Sequence, residues 1–277
     1  MKNQIGFMQG RLSPMQGNKI QSFPWKTWKK EFKLGNNLNF GILEWTLDSQ
    51  KLYSNPLMTD EGQKEIKKMC SKYKFKILSL TGDCFMQKPF WKIGKKKRIK
   101  LQEDFLNIIN RCGNIGIKFI VLPLIDRGQI VNKKQEMILT IFLKKINKVL
   151  CKNKIKILFE TDFEPKRYLK FIKNFNKKFF GINYDIGNSA SYNFDPNEEI
   201  SLYGKYIDNV HVKDRIYRGN TVFFGKGNAD FKTVFKKLKE IDYKGNFILQ
   251  GARSKNNQHA FTVKKYRDFV MKFLNNL

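Results

Sequence analysis

The stretch "IKILFETD" (155–162) is an apolar run, broken only by Lys156, that stops at Glu160. It does not alternate polar with apolar residues. It therefore reads as a strand covered on both faces, not as the half-exposed strand of an antiparallel sheet. Runs of the same kind lie on both sides of it. Upstream are "IGFMQGRL" (5–12), "FGILEWTL" (40–47), "KILSLTGD" (76–83) and "FIVLPLI" (119–125). Downstream are "FGINYDIGNS" (180–189), "NVHVKD" (209–214) and "FILQGARS" (247–254).

Longer segments with helical spacing separate these runs. In "DFKTVFKKLKEI" the residues Phe231, Val234, Phe235 and Leu238 share one stripe, with Asp230 as the N-cap. The segment 135–150 places Met137 and Ile141 inward, with Ile138, Phe142, Ile146 and Val149 on a neighbouring row. The tail repeats the spacing at Phe261, Tyr266, Phe269, Val270 and Phe273. Segments 61–73, 97–112, 165–176 and 196–206 fit helices too, and "PWKTWKKEFKLG" is the helix after the first strand. Eight strand–helix pairs predict an α/β fold: a single (β/α)8 TIM barrel over residues 1–277. A doubly wound open sheet gives similar alternation, but no run is followed by G-x-G-x-x-G or a Walker-type loop.

Composition narrows the function classes. The chain has 277 residues, 41% of them hydrophobic, enough for one large core. Its formal charge of +30 favours acidic partners in principle. The lysines, however, are spread over almost every helical segment, as expected for solvated faces and compositional drift. Four cysteines without a Cys-x-x-Cys pair, an N-terminus without an apolar signal core and no long apolar run predict a cytoplasmic protein without a membrane span.

In such barrels the active site lies at the C-terminal ends of the strands. The fifth to eighth runs end in Glu160, Asp185, His211 and Gln250, one per repeat, so closure would bring them to one rim. Each has an ordinary reading alone. A lone histidine at a strand end is usually structural, Asp185 before "IGNS" suits a turn or cap, and Gln250 could bond within the core. Glu160 could lie on the surface. Together they form a candidate site for a divalent metal ion. Three oxygens and one nitrogen suit Mn²⁺, Mg²⁺ or Co²⁺ better than Zn²⁺.

"LFETD", "NYDIGNS", "VHVKD", the "GKGNADF" loop and "GNFILQGAR" resemble the xylose isomerase-like TIM-barrel superfamily of sugar and sugar-phosphate isomerases and epimerases. The resemblance runs from "QGRL" to the final helix. It implies a divalent metal held by Glu160, Asp185 and His211, with Gln250 where the superfamily has a further Glu. That amide is a departure, because the ketose 3-epimerases use two metal-ligating glutamates as opposed acid and base. Asn188 is a second departure, standing where some epimerases have a substrate-binding His.

The chemistry expected is proton abstraction next to a carbonyl of a sugar or sugar phosphate, through an enediolate. Glu160 is the expected base. Lys213, Asp83 or Glu44 is expected to return the proton, and Glu44, Asp83, Asn188 and Lys213 to contact substrate. For an anionic group the candidates are Lys213, Arg215, Arg218, Lys226 and Arg253, with the backbone N–H groups of "FFGKGNADF". A dehydratase or lyase on the same fold, or a non-catalytic sugar-binding barrel, are the alternatives. An apurinic endonuclease is disfavoured, since two histidines cannot build its multi-zinc cluster. Nucleic acid and membrane are not expected partners, and a homo-oligomer stays open.

Overall fold

The computed structural model describes residues 5–17, 19–254 and 256–276. Eight parallel strands close into a barrel in chain order, with the first pairing to both the second and the eighth. They are Ile5–Met8, Leu43–Thr46, Ser79–Thr81, Phe119–Leu124, Lys156–Thr161, Phe180–Asp185, Ile207–Val212 and Asn246–Leu249. Each falls at one of the eight runs in the sequence. The long runs are trimmed where turn chemistry takes over. "FGINYDIGNS" stops being a strand at Asp185, whose side chain accepts from the Asn188 N–H and caps a short helix, Ile186–Ser191. After the seventh strand, Asp214–Arg215 pairs with Thr221–Val222 in a small antiparallel hairpin.

The main surrounding helices are Trp28–Asn37, Asp60–Tyr73, Lys95–Ile115, Lys133–Lys145, Pro165–Ile172, Pro196–Tyr203, Phe231–Glu240 and His259–Asn276. Asp230 caps its helix through the Thr233 N–H. The segment 135–150 is broken at Ile146, and a second helix covers Asn147–Asn153. Its inward face matches the expected one at Phe142 and Ile146 but not at Met137 and Ile141. Met137 and Ile141 are 56% and 48% exposed, while Leu139, Phe142, Leu143, Ile146 and Leu150 are buried. The leucines give a longer continuous stripe than the Met–Ile pair, so burial of the larger apolar area sets the rotation. Phe261, expected inward, is 53% exposed at the start of the last helix.

An aromatic layer fills the space between strands and helices. Phe85 packs on Phe105 with ring centroids 4.3 Å apart, and Phe90 on Phe142 at 4.9 Å. Among the described residues no helix is long and apolar enough to cross a membrane. The helix rotation is testable by urea denaturation. Leu143→Ala should cost about 2–5 kcal/mol, and Ile141→Lys should change stability by less than about 0.5 kcal/mol. The reverse order would refute the assigned face.

Candidate active site

Glu160, Asp185 and His211 meet at the C-terminal mouth of the barrel. Asp185 lies directly beside His211 in the strand register. All three are buried, and one potential ligand atom from each falls within 4.8 Å of the others. His211 Nδ1 is 3.2 Å from Glu160 Oε2 and 3.9 Å from Asp185 Oδ2, yet makes no hydrogen bond to either. Its other nitrogen, Nε2, is 2.7 Å from Glu44 Oε1. A hydrogen on Nε2 makes this contact a hydrogen bond to the carboxylate. Nδ1 is thereby turned toward two acidic oxygens. A carboxylate behind an imidazole that faces other acidic ligands is the usual support of a metal-binding histidine. The donor set therefore fits a divalent metal ion.

A buried polar layer fixes these groups from below. Glu44 Oε2 accepts from Ser79 Oγ at 2.6 Å and Asn209 Nδ2 at 3.2 Å. Asn209 Nδ2 also donates to Asn183 Oδ1 at 2.8 Å, and Asn183 Nδ2 donates to Glu160 Oε2 at 2.7 Å. Asn188 Nδ2 holds the other Glu160 oxygen at 2.7 Å. Asn183 and Asn209 were not anticipated, although the signal was present. Each is a polar residue two positions before a mouth residue, so strand alternation puts it on the same inward face.

A second network crosses the mouth. Lys213 Nζ lies 2.6 Å from Asp185 Oδ2, without hydrogen-bond alignment, and donates to Gln250 Oε1 at 3.4 Å. Gly187 permits this approach, since a Cβ there would fall 2.7 Å from Lys213 Cγ. Gln250 Nε2 donates to Gln21 Oε1 at 2.9 Å, and Gln21 Nε2 donates to Asp83 Oδ2 at 2.7 Å. Gln21 comes from the connection after the first strand, where no periodicity marks it. Arg215 joins the edge through Nη1, which donates to Asn188 Oδ1 at 2.8 Å.

Other expected contacts are displaced. Glu44 is fully buried behind His211, with both oxygens engaged, so it cannot contact substrate or return a proton to it. Arg218 is exposed, its guanidinium 5.2 Å from the Tyr217 ring centroid. Lys226 is exposed as well, and its loop is not a free anion cradle. The N–H groups of Gly225, Lys226 and Gly227 donate to Asp214 Oδ2, and that of Ala229 to Oδ1, at 2.8–3.2 Å. The protein's own carboxylate already fills the place. The Arg253 guanidinium donates to the Gly10 and Ser13 carbonyls, toward the first strand.

The electrostatics follow from burial and crowding. Burial pulls His211 down, but the charges of Glu44 and Glu160 and the contacts with both raise it to about 10. Burial works against ionised Glu160, yet His211, Lys213 and Asn183 hold it below the ordinary glutamate range. Asp185 is raised, first by burial, with Lys213 opposing and Glu160 adding to the rise. Asp83 is pushed up to about 7 by burial and the Asp48 charge.

A closed eight-stranded barrel with an acid–imidazole cluster at its C-terminal mouth defines the class: a TIM barrel with a candidate metal centre. The chain belongs to the xylose isomerase-like TIM barrel family, which matches residues 32–268. A putative L-ribulose-5-phosphate 3-epimerase of Haemophilus influenzae is 24% identical over 261 residues, 88% of this chain and 91% of the relative. Among solved structures, the IOLI protein with a binding zinc atom matches with TM-score 0.77 and 14% identity, over 99% of this chain and 98% of that one. D-psicose 3-epimerase with D-tagatose from Clostridium cellulolyticum H10 matches with TM-score 0.75 and 14% identity, over 98% and 99%. At such identities the structural matches establish the fold.

The raised His211 pKa gives a signed prediction for metal-free protein. Cationic His211 contributes stability in full below about pH 6.5, the unfolded value. That contribution is lost as pH rises through about 10. With chelator present, the Tm advantage of wild type over His211→Gln should shrink steadily from pH 6 to 10. A constant or growing advantage would show that His211 is not held as a cation.

Proposed function

We propose that the protein is a metal-dependent isomerase or epimerase acting on a sugar or sugar phosphate, by proton abstraction next to a carbonyl. The observation that carries this reading is His211 Nδ1, buried and unbonded, turned toward Glu160 and Asp185 while Glu44 fixes the other nitrogen. Family membership supports it, as does the name of the Haemophilus influenzae relative. Glu160, Asp185 and His211 would hold the ion, with the Gln250 carbonyl oxygen at the same rim as the fourth candidate. A mainly oxygen donor set favours Mn²⁺, Mg²⁺ or Co²⁺ over Zn²⁺. When bound, the ion supplies a Lewis acid for a carbonyl and a neighbouring hydroxyl.

The chain's own groups do the proton work. Glu160 is ionised at neutral pH and oriented by Asn183 and Asn188, so it is the base that takes the proton. Gln250 cannot carry a proton at neutral pH. The returning proton belongs to Lys213 or to Asp83, and an Asp83 carboxyl near 7 is suited to hold one. Asn188 and Arg215 stand at the edge to bind substrate hydroxyls. A dehydratase or lyase would share the first step. Among the described residues one group of three metal-type ligands occurs, which disfavours a multi-zinc nuclease. All four cysteines are free, in keeping with a reducing cytoplasmic setting.

The test is solvent deuterium exchange, followed by NMR across a panel of ketoses and ketose 5-phosphates. Exchange at the carbon beside the carbonyl should require a divalent metal and stop with chelator. Glu160→Gln should slow it by about 10²–10⁴-fold. Exchange that survives both treatments would remove the reading. A second comparison concerns position 250: Asp83→Asn should slow turnover in the wild type more than in a Gln250→Glu background. Equal losses in both would exclude Asp83 as the returning acid.

A further inference from the structure

Two buried nitrogen-bearing side chains, Arg11 and His259, and the half-buried Arg253 belong to segments that follow the paired first and eighth strands. Arg11 follows the first strand, Arg253 follows the eighth, and His259 opens the 18-residue last helix. Arg253 reaches across to the carbonyls of Gly10 and Ser13, on either side of Arg11. Arg11 is only 5% exposed and His259 only 6%. Arg11 spends Nη1 on the Ile20 carbonyl at 2.9 Å and Nη2 on Gln21 Oε1 at 3.3 Å. Among the described residues, Arg11 Nε, Arg253 Nε and both ring nitrogens of His259 have no hydrogen-bond partner.

Unused buried donors destabilise a fold, and two guanidiniums near one another add repulsion. Burial first, and then the charge of Arg253, lower the Arg11 pKa to about 9, and His259 is lowered by the same two causes. The neighbouring acids offset this charge only in part. Glu31 is occupied by the Gly10 and Leu12 N–H groups and is pushed to about 7 by burial. Asp83 is likewise raised to about 7. An oxyanion accepts from guanidinium and imidazole at once and neutralises the excess.

We infer that Arg11, Arg253 and His259 form an anion subsite at this edge of the mouth, and that its ligand is the phosphate group of a phosphorylated sugar. Arg11 is joined to Gln250 through Gln21, so the subsite adjoins the candidate metal centre. It replaces the cradle expected from the "GKGNADF" loop, which Asp214 fills. The sugar part of the ligand rests on the proposed isomerase or epimerase activity; the phosphate part does not.

The first experiment is calorimetric titration of the full chain with inorganic phosphate, with chelator present so that no metal is involved. Wild type should bind saturably. His259→Leu and Arg11→Gln should each weaken binding about tenfold or more, and the exposed-surface control Lys173→Gln should not. Arg11→Gln removes a buried charge and risks misfolding, so His259→Leu, at a helix start, carries the test by itself. Non-saturable binding, or equal weakening in the control, would mean only a background of diffuse positive charge and would overturn the subsite. A ketose 5-phosphate should displace the phosphate; failure to do so would overturn the substrate assignment in favour of free phosphate. The second experiment is the ratio of kcat/KM for a ketose 5-phosphate to that for the free ketose. His259→Leu should lower this ratio about tenfold. Saturable phosphate binding without turnover of any sugar would sink the proposed activity and leave the subsite standing. Turnover with an unchanged ratio would sink the subsite and leave the activity standing.

Discussion

His211 stands between three buried carboxylates, and this crowding is the constraint on which the mouth of the barrel depends. Its Nε2 meets Glu44, and its Nδ1 faces Glu160 and Asp185. Glu44 and His211 are 167 residues apart in the chain, so barrel closure alone brings them together. Around one imidazole and one ammonium, from Lys213, the three acids leave negative charge in excess. Burying like charges costs stability unless a cation is shared. The aromatic shell between strands and helices offsets that cost. The polar layer of Ser79, Asn209 and Asn183 holds Glu44 and Glu160 in place beside the imidazole.

The architecture was legible because every strand is covered on both faces. Such strands leave apolar runs that stand out from helices of mixed polarity. The strand ends at Glu160, Asp185 and His211 were legible for the same reason, since an acid or imidazole ending an apolar run is visible without coordinates. The layer beneath them is less legible, because Asn183 and Asn209 lie inside "FGINYD" and "IDNVHV" and not at the strand ends. Gln21 and Arg11 carry no such pattern. They sit in or beside an irregular connection, and their roles arise only from its fold over the mouth. The "GKGNADF" loop was readable as a loop with free N–H groups, but not as one already satisfied by Asp214, which lies on a separate element. Met137 and Ile141 show the limit of helical spacing. Two apolar rows competed, and the longer one was buried.

The charge of +30 and the acid cluster belong to different parts of the molecule. The lysines lie mainly on exposed helical faces and connections, where solvent and salt screen them. The buried charges of the mouth are screened much less. A strongly basic chain can therefore have an interior that attracts cations, with a separate positive edge at Arg11 and Arg253. Neither follows from net charge. Both follow from which charged side chains the strand ends and the first connection carry inward.

Position 250 shows how one amide can set the state of a distant acid. Gln250 accepts from Lys213 with its oxygen and donates to Gln21 with its nitrogen. That donation orients Gln21 with its oxygen toward Gln250 and Arg11 and its NH₂ toward Asp83. Asp83 Oδ2 then accepts from Gln21 in either protonation state, so a carboxyl pushed up to about 7 can take up or release a proton without losing the contact. A glutamate at 250 could only accept, so Gln21 would turn its NH₂ to position 250 and its oxygen to Asp83. Asp83 would then have to carry a proton to keep the contact. The amide at 250 thus gives up a proton-carrying group after the eighth strand and frees Asp83, after the third, to exchange one. Under the proposed chemistry, Glu160 would take the proton and Lys213 or Asp83 would return it, in place of two matched glutamates.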